Sequence, residues 1–199
     1  MTYRFNFMCA FVLASVTLWG CGGGPAQPGQ AEPASTPATT NTPTAGGGAT
    51  VVGDLLKDWQ DQKDTLMKIA DAMPEDKFGF KPTPAQRNFG EQVMHVAEIN
   101  VDLLKMVGGT AQPPSFTAES VKTKADMLKA LAESYDYGAA ILNSQNNAWI
   151  QETIDGGFLG QTTRARVVWF LLGHSMDTYG QMAVYLRLNG VVPPASRGV

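Results

Sequence analysis

Cysteine, histidine and long apolar runs are all scarce in this sequence of 199 residues, which has two cysteines and two histidines. An apolar run at residues 7–19 is too short to cross a bilayer, which needs about 20 residues. No basic stripe with interleaved aromatics, Gly-rich phosphate loop or internal repeat is present, so the sequence predicts no nucleic-acid binding. Charge is close to balanced, with 15 basic and 18 acidic residues.

The N-terminus has the layout of an export signal. Arg4 supplies a positive region, the apolar run follows, and Leu18-Trp19-Gly20-Cys21 resembles the lipobox of bacterial lipoproteins. We therefore predict a signal peptide at residues 1–20 and a lipid on Cys21, with an ordinary signal peptide as the alternative. Cys9 would leave with the signal, so the mature chain would keep no free thiol for a disulfide framework or a cysteine nucleophile.

Residues 21–53 are predicted to be the lipidated cysteine and a linker rich in Gly, Pro, Ala, Thr and Ser. Such a segment cannot bury enough apolar surface to offset its ordering entropy, so we expect a disordered tether. The acyl chains would hold the protein at the cell envelope without a transmembrane helix. Gly22 rather than an aspartate follows the cysteine, and by analogy with lipoprotein sorting in diderm bacteria this favours the outer membrane.

The remaining residues, 54–199, are enough for one domain, and their apolar periodicity predicts four helices. These run from Asp54 to Met73, from the N-cap Asn88 with Glu91 in capping-box position, from about Thr123 to Asn143, and from Thr162 or Thr163 to Asn189. Residues 144–162 fit either a short strand or a helical extension followed by a turn. The pattern predicts an all-α four-helix bundle, with Trp59 and Trp169 in its core.

Two stretches resemble the DinB/YfiT-like superfamily: FGFKPTPAQRNFGEQVMHVAE at the entrance to the second predicted helix, and HSMDTYGQMAVYLRLNGVVPP in the fourth. The resemblance covers nearly all of residues 54–196. It implies a bundle with up-down-down-up connectivity. Members of the superfamily typically bind a divalent ion through one histidine of the second helix and two, four residues apart, on the fourth. Several branches use that ion to activate a low-molecular-weight thiol, and many members dimerise, so a homodimer is one expectation.

Carried onto this sequence, the resemblance makes His95 and His174 metal ligands. Residues i and i+4 of a helix share one face, so with a ligand from a facing helix they leave one tetrahedral corner open for water or substrate. The third histidine belongs to a D-H-Y-G-Q pattern, but this chain has threonine there, in Asp177-Thr178-Tyr179-Gly180-Gln181. The ligand frame is therefore present with one nitrogen missing, and zinc, nickel or manganese are the candidate ions.

Carboxylates near the two histidines could replace the missing nitrogen. Glu91 precedes His95 by four residues, Glu98 follows it by three, and Asp177 neighbours Thr178. The alternative interpretation of each is an ordinary helix-capping or solvent-exposed charge.

Gln181 and Tyr185 continue the line of His174 at i+7 and i+11 and could line the same pocket. Three functions follow. The first is a metal-dependent hydrolase or thiol transferase that acts on a small molecule at the envelope. The second is a non-catalytic module that binds a small ligand or partner in a degenerate pocket. The third is a structural lipoprotein.

Overall fold

The computed structural model describes residues 50–117 and 120–198. In these residues four long helices form a bundle: α1 (Val51–Ala72), α2 (Phe89–Val107), α3 (Lys124–Asn143) and α5 (Arg164–Leu188). A short helix, α4 (Asn147–Gln151), and two three-residue strands, β1 (Thr153–Asp155) and β2 (Gln161–Thr163), connect α3 to α5. The predicted all-α bundle is confirmed. The predicted signal peptide, Cys21 and nearly all of the linker lie outside the described residues.

Side-chain caps set the starts of the long helices. Asn88 and Thr123 each accept a hydrogen bond from the backbone N–H three residues on. In return, the carboxylates of Glu91 and Asp126 accept from the backbone N–H of these cap residues. Both capping boxes give helix starts that agree with the sequence prediction. Helix α1 begins at Val51, three residues before the predicted start, because the hydroxyl of Thr50 accepts from a backbone N–H of the first turn.

Contacts between the helices establish the direction of each. Gln62, in the middle of α1, donates to the carbonyl of Leu172 in the first half of α5, and farther along both helices Lys68 and Tyr179 line the same surface cavity, so α1 and α5 run parallel. Lys124 at the start of α3 donates to the carbonyls of Asp71 and Met73 at the end of α1, so these two helices are antiparallel.

Helix α2 is antiparallel to α5, since the first residue of α5, Arg164, donates to the carbonyl of Val107 at the end of α2. It is parallel to α3, because Gly90 lies against Met127 near the start of both helices, while Asn100 donates to Ser134 near their middles. The connectivity is therefore up-down-down-up, as the resemblance implied. α1 and α2 each pack against α3 and α5, which places α1 and α2 diagonally.

The core is apolar and centres on aromatic side chains. Trp59 is fully buried against Tyr135, with ring centroids 4.9 Å apart, and its indole N–H donates to the Tyr135 carbonyl at 2.7 Å. Gly138 of α3 leaves room for this indole.

The prediction that Trp169 is a core residue is wrong, since 56% of it is exposed. The part of α5 around Trp169, residues 167–172, is apolar on every side, so its sequence does not mark which face is outward.

The connection from α3 to α5 combines both predicted alternatives. Trp149 lies in the short helix α4, and strands β1 and β2 pair antiparallel with Ile154 opposite Thr162. Arg164 holds this connection against the bundle: it donates to the carbonyls of Val107 and Trp149 and to the Glu152 carboxylate, and it stacks over the Trp149 ring.

Within the described ranges, no helix combines the length and the apolar character that a bilayer crossing requires.

Candidate functional site

The two histidines of the sequence meet between α2 and α5. Antiparallel packing brings His95 and His174 level with one another, with ring centroids 4.9 Å apart and ring planes at 70°. Their Nε2 atoms are 3.0 Å apart. Both side chains are half-buried, and the ring of Phe170, one turn before His174, stacks on the His174 ring. The arrangement is a close contact between two imidazoles with an aromatic ring on one side.

Burial makes both imidazoles poor proton acceptors. It is the main cause that lowers the pKa of His95 to about 4, with further lowering by the Arg87 guanidinium and by His174. Burial also lowers the pKa of His174, partly opposed by the Asp177 carboxylate, which favours the charged form. The pair is therefore neutral at physiological pH, and the short contact is a hydrogen bond between one donor and one acceptor nitrogen.

The surroundings of the two Nδ1 atoms determine which histidine donates in the bond between the Nε2 atoms. Nδ1 of His174 is buried and has no hydrogen-bond partner in the described structure, whereas Nδ1 of His95 is not among the buried unpaired atoms. A buried N–H without an acceptor costs more than a buried lone pair without a donor. The favoured tautomers therefore have His174 donating from Nε2 to Nε2 of His95, with the His95 proton on Nδ1.

Thr178 lies where the resemblance places the third metal ligand, one turn after His174. It is buried, and its hydroxyl donates to the backbone carbonyl of His174 at 3.1 Å. Such a bond to the preceding turn is common for threonine in helices. The hydroxyl proton is thus used within the helix, and a neutral hydroxyl is a far weaker ligand than an imidazole.

The nearby carboxylates make bonds elsewhere. The Glu91 carboxylate accepts from the backbone N–H of Asn88 at 2.6 Å, and this bond is the main cause that lowers the pKa of Glu91. Asp177 is exposed and accepts from the amide of Gln181 at 2.9 Å, and Glu98 is exposed. Nowhere in residues 50–117 and 120–198 do three His, Cys, Asp or Glu side chains come together as a metal site would require.

Amide side chains extend the polar surface beside the histidines. Gln181 accepts from the side chain of Gln92 at 2.7 Å, which links α5 to α2 one turn from the imidazole pair. Tyr185 is buried, and its hydroxyl donates to the backbone carbonyl of Arg87 at 2.9 Å, so its polar end fastens the loop before α2. Sequence reasoning missed Gln92, although its place three residues before His95 puts it on the same helix face.

A second set of polar groups is buried deeper in the bundle. Asn100 Oδ1, the Tyr135 hydroxyl and Ser175 Oγ are buried without a partner in the described structure. Burial raises the pKa of Tyr135 to about 12, so this phenol stays protonated. The signal for Asn100 was its place on the apolar face of α2, but the sequence gives no indication of what it meets.

The residues present do not fit a three-nitrogen metal site. The two Nε2 atoms are 3.0 Å apart. An ion bound to both at about 2.05 Å would therefore have an Nε2–ion–Nε2 angle of roughly 94°. Binding through both Nε2 atoms, however, requires a proton on each Nδ1, and at His174 that proton would be buried without an acceptor. Metal-bound histidines almost always donate this second N–H to a partner.

The fold and the site together define a class: an up-down-down-up four-helix bundle whose second and last long helices bring one histidine each to a common point. The family model of the DinB superfamily matches residues 58–182. The chain therefore belongs to the DinB superfamily.

Solved structures agree with this assignment at the level of the fold. A DinB-like protein from Bacillus cereus ATCC 10987 is 16% identical, with a TM-score of 0.64, and the match covers 73% of this chain and 96% of that one. A DinB-like protein from Bacillus subtilis is 17% identical, with a TM-score of 0.55 and coverage of 69% and 92%. No curated protein is a significant match in sequence.

Proposed function

We propose that this protein is an envelope-anchored DinB-like module whose metal site is reduced to a neutral histidine pair, and that it acts by binding rather than by metal-dependent catalysis. The observation that carries the proposal is the pairing of His95 and His174 through Nε2, while Nδ1 of His174 is buried with no hydrogen-bond partner among residues 50–117 and 120–198. This arrangement suits two neutral imidazoles that share one proton, and it penalises the tautomer that a bridging ion requires.

Thr178 supports the same conclusion from the ligand side. Its hydroxyl proton is committed to the His174 carbonyl, and the nearest carboxylates are engaged in a helix cap and in a bond to Gln181. What remains is a half-buried surface of imidazoles and amides with an aromatic wall at Phe170. A surface of this kind suits a small ligand with hydrogen-bonding groups or a protein partner, and burial, which lowers the pKa of both imidazoles, makes them weak bases.

The competing function is a metal-dependent hydrolase or transferase, and the convergence of the two Nε2 atoms is the observation that favours it. Zinc, nickel and manganese are the ions to test. Residues 22–199, which leave out the predicted signal peptide and the lipidated cysteine, are dialysed against each ion at micromolar concentration, and bound metal is then counted. The variants are His95→Ala, Thr178→His and Thr178→Val, the last being an isosteric control that removes the hydroxyl without adding a ligand.

We expect the parent and Thr178→Val to keep no stoichiometric metal. Thr178→His restores a second imidazole one turn from His174 and should bind about one ion per chain, and adding His95→Ala to it should abolish that binding. If the parent itself binds one ion per chain and His95→Ala loses it, the degenerate-site proposal is wrong and the enzyme function replaces it.

The envelope location rests on the sequence of the N-terminus, Leu18-Trp19-Gly20-Cys21. In a bacterial host fed a labelled fatty acid, the full chain should incorporate the label and sediment with membranes. Cys21→Ser should lose both the label and the membrane association, while Cys9→Ser, which alters the cysteine inside the predicted signal, should keep them. Equal labelling of the parent and Cys21→Ser would refute the anchor.

A further inference from the structure

Four large apolar side chains are exposed at the end of the bundle where the chain enters it. They are Phe158, which is 70% exposed, Trp169 at 56%, Met106 at 43% and Val51 at 37%. We call them the tether-end patch. Contiguous exposed apolar surface, unlike single exposed side chains, marks a site that meets something apolar.

The directions of the helices place these residues at one end. Val51 is the first residue of α1, which runs parallel to α5, and Met106 is the last residue but one of α2, which runs antiparallel to it. Phe158 lies in the hairpin that leads directly into α5. Trp169 lies five residues after Arg164, or about 7.5 Å along the axis of α5.

The hairpin holds Phe158 outward in a fixed position. Gly157 and Gly160 on either side of its turn have φ values of +63° and +68°, which glycine adopts without strain. The Phe158 ring packs edge-on against Phe170 with centroids 5.2 Å apart, and the Met106 side chain lies against Gly157. The ring is therefore supported on one side and presented to solvent on the other.

We propose that the tether-end patch docks onto the surface of the lipid bilayer to which the chain is anchored. The proposal rests on the lipid anchor of the proposed function. The predicted linker meets the domain at Thr50, next to Val51 of the patch, and a flexible linker of 28 residues, 22 to 49, is expected from its composition to span roughly 30 Å on average. The anchor thus keeps the patch near the bilayer at high effective concentration, so a weak apolar contact is enough.

The chemistry of the patch favours a bilayer interface. Tryptophan is enriched at the headgroup level, where one ring edge is apolar and the other wet. Charges at this end are mixed: Lys105 and Arg166 are outnumbered by Asp54, Asp102 and Asp155, and all five are exposed. Attraction to anionic lipid is therefore not the source of binding, and vesicles of uncharged phosphatidylcholine are the appropriate probe.

The test reproduces the anchor chemically. Residues 21–199 contain one thiol, that of Cys21, which is coupled to a maleimide lipid in phosphatidylcholine vesicles. Brominated phosphatidylcholine then quenches tryptophan that reaches the acyl chains, and Trp169→Phe assigns the signal among Trp59, Trp149 and Trp169. Phe158→Ser removes the most exposed ring. The control, Val184→Ser with Leu188→Ser, removes side chains that are 51% and 58% exposed near the opposite end of α5.

We expect the quenching assigned to Trp169 to fall at least threefold in Phe158→Ser and to stay unchanged in the control. The proposal is overturned if tethered Trp169 is not quenched, or if both variants lose quenching equally. It is also overturned if light scattering shows a dimer that Phe158→Ser dissociates while quenching persists, since the occupant is then a second copy. Chemical coupling makes the result independent of whether the cell lipidates Cys21.

Discussion

Acidification should destabilise this domain through its histidine pair. An imidazole whose pKa is 6.5 in the unfolded chain and about 4 in the fold binds fewer protons when folded, so its contribution to stability is full above pH 6.5 and is lost as the pH falls toward 4. If the whole pKa shift of His95 contributes, lowering the pH from 7.5 to 5.0 removes about 2 kcal/mol from the free energy of unfolding. Its partial exposure reduces this to about 1 kcal/mol.

The assay is urea unfolding at pH 7.5, 6.5, 5.5 and 5.0 in the presence of a chelator, for the parent and for His95→Gln with His174→Gln. Glutamine keeps a polar side chain at both sites and does not titrate. The difference in unfolding free energy between the two proteins cancels most of the carboxylate contribution and isolates the imidazoles. We expect the parent to lose about 1 kcal/mol more than the variant over this range. Parallel pH profiles would refute the neutral-pair interpretation.

Three further predictions concern stability and are checked by chemical or thermal unfolding. Gly138→Ala should cost about 1–3 kcal/mol, because its Cβ would lie 2.5 Å from the Trp59 ring, whereas Gly180→Ala has open space in mid-helix and should gain about 0.5–1 kcal/mol. A loss at both glycines would contradict the packing argument. Arg164→Gln should cost about 2–3 kcal/mol, because it leaves the carbonyl at the end of α2 and that of the α4 turn without their donor. Asn88→Ala should cost about 1 kcal/mol, and an unchanged midpoint would mean that solvent replaces the cap.

Local chemistry made much of the fold predictable. The capping boxes at Asn88 and Thr123 are complete within four residues, so both helix starts could be read from sequence. The prediction for Trp169 was wrong because residues 167–172 of α5 are apolar on every side, so periodicity cannot identify the outer face there. The connection at residues 144–162 was ambiguous, since its short helix and hairpin are held by Arg164, whose partners come from two separate segments, the end of α2 and the short helix α4 with its C-cap.

The candidate site was predictable in its residues but not in its bonding. The family resemblance indicated His95, His174 and the anomalous Thr178. Neither the contact between Nε2 atoms nor the unpaired Nδ1 of His174 could be read from the sequence, because both depend on how α2 and α5 pack. The bond from Gln92 to Gln181 was missed for the same reason, as its partners are 89 residues apart.

Because α1 and α5 run parallel, the linker and a group fused to the C-terminal residues would be attached at different heights along the bundle. The chain enters α1 at Thr50, and beyond α5 it turns back, so that Pro194 and Ala195 line a surface cavity with Lys68 of α1 and Tyr179 of α5, about 25 Å from the linker end along α1. A reporter fused after residue 198 would therefore stand off the membrane by roughly that length when the linker end faces the lipid. Such a fusion should leave both the anchor and the histidine pair undisturbed.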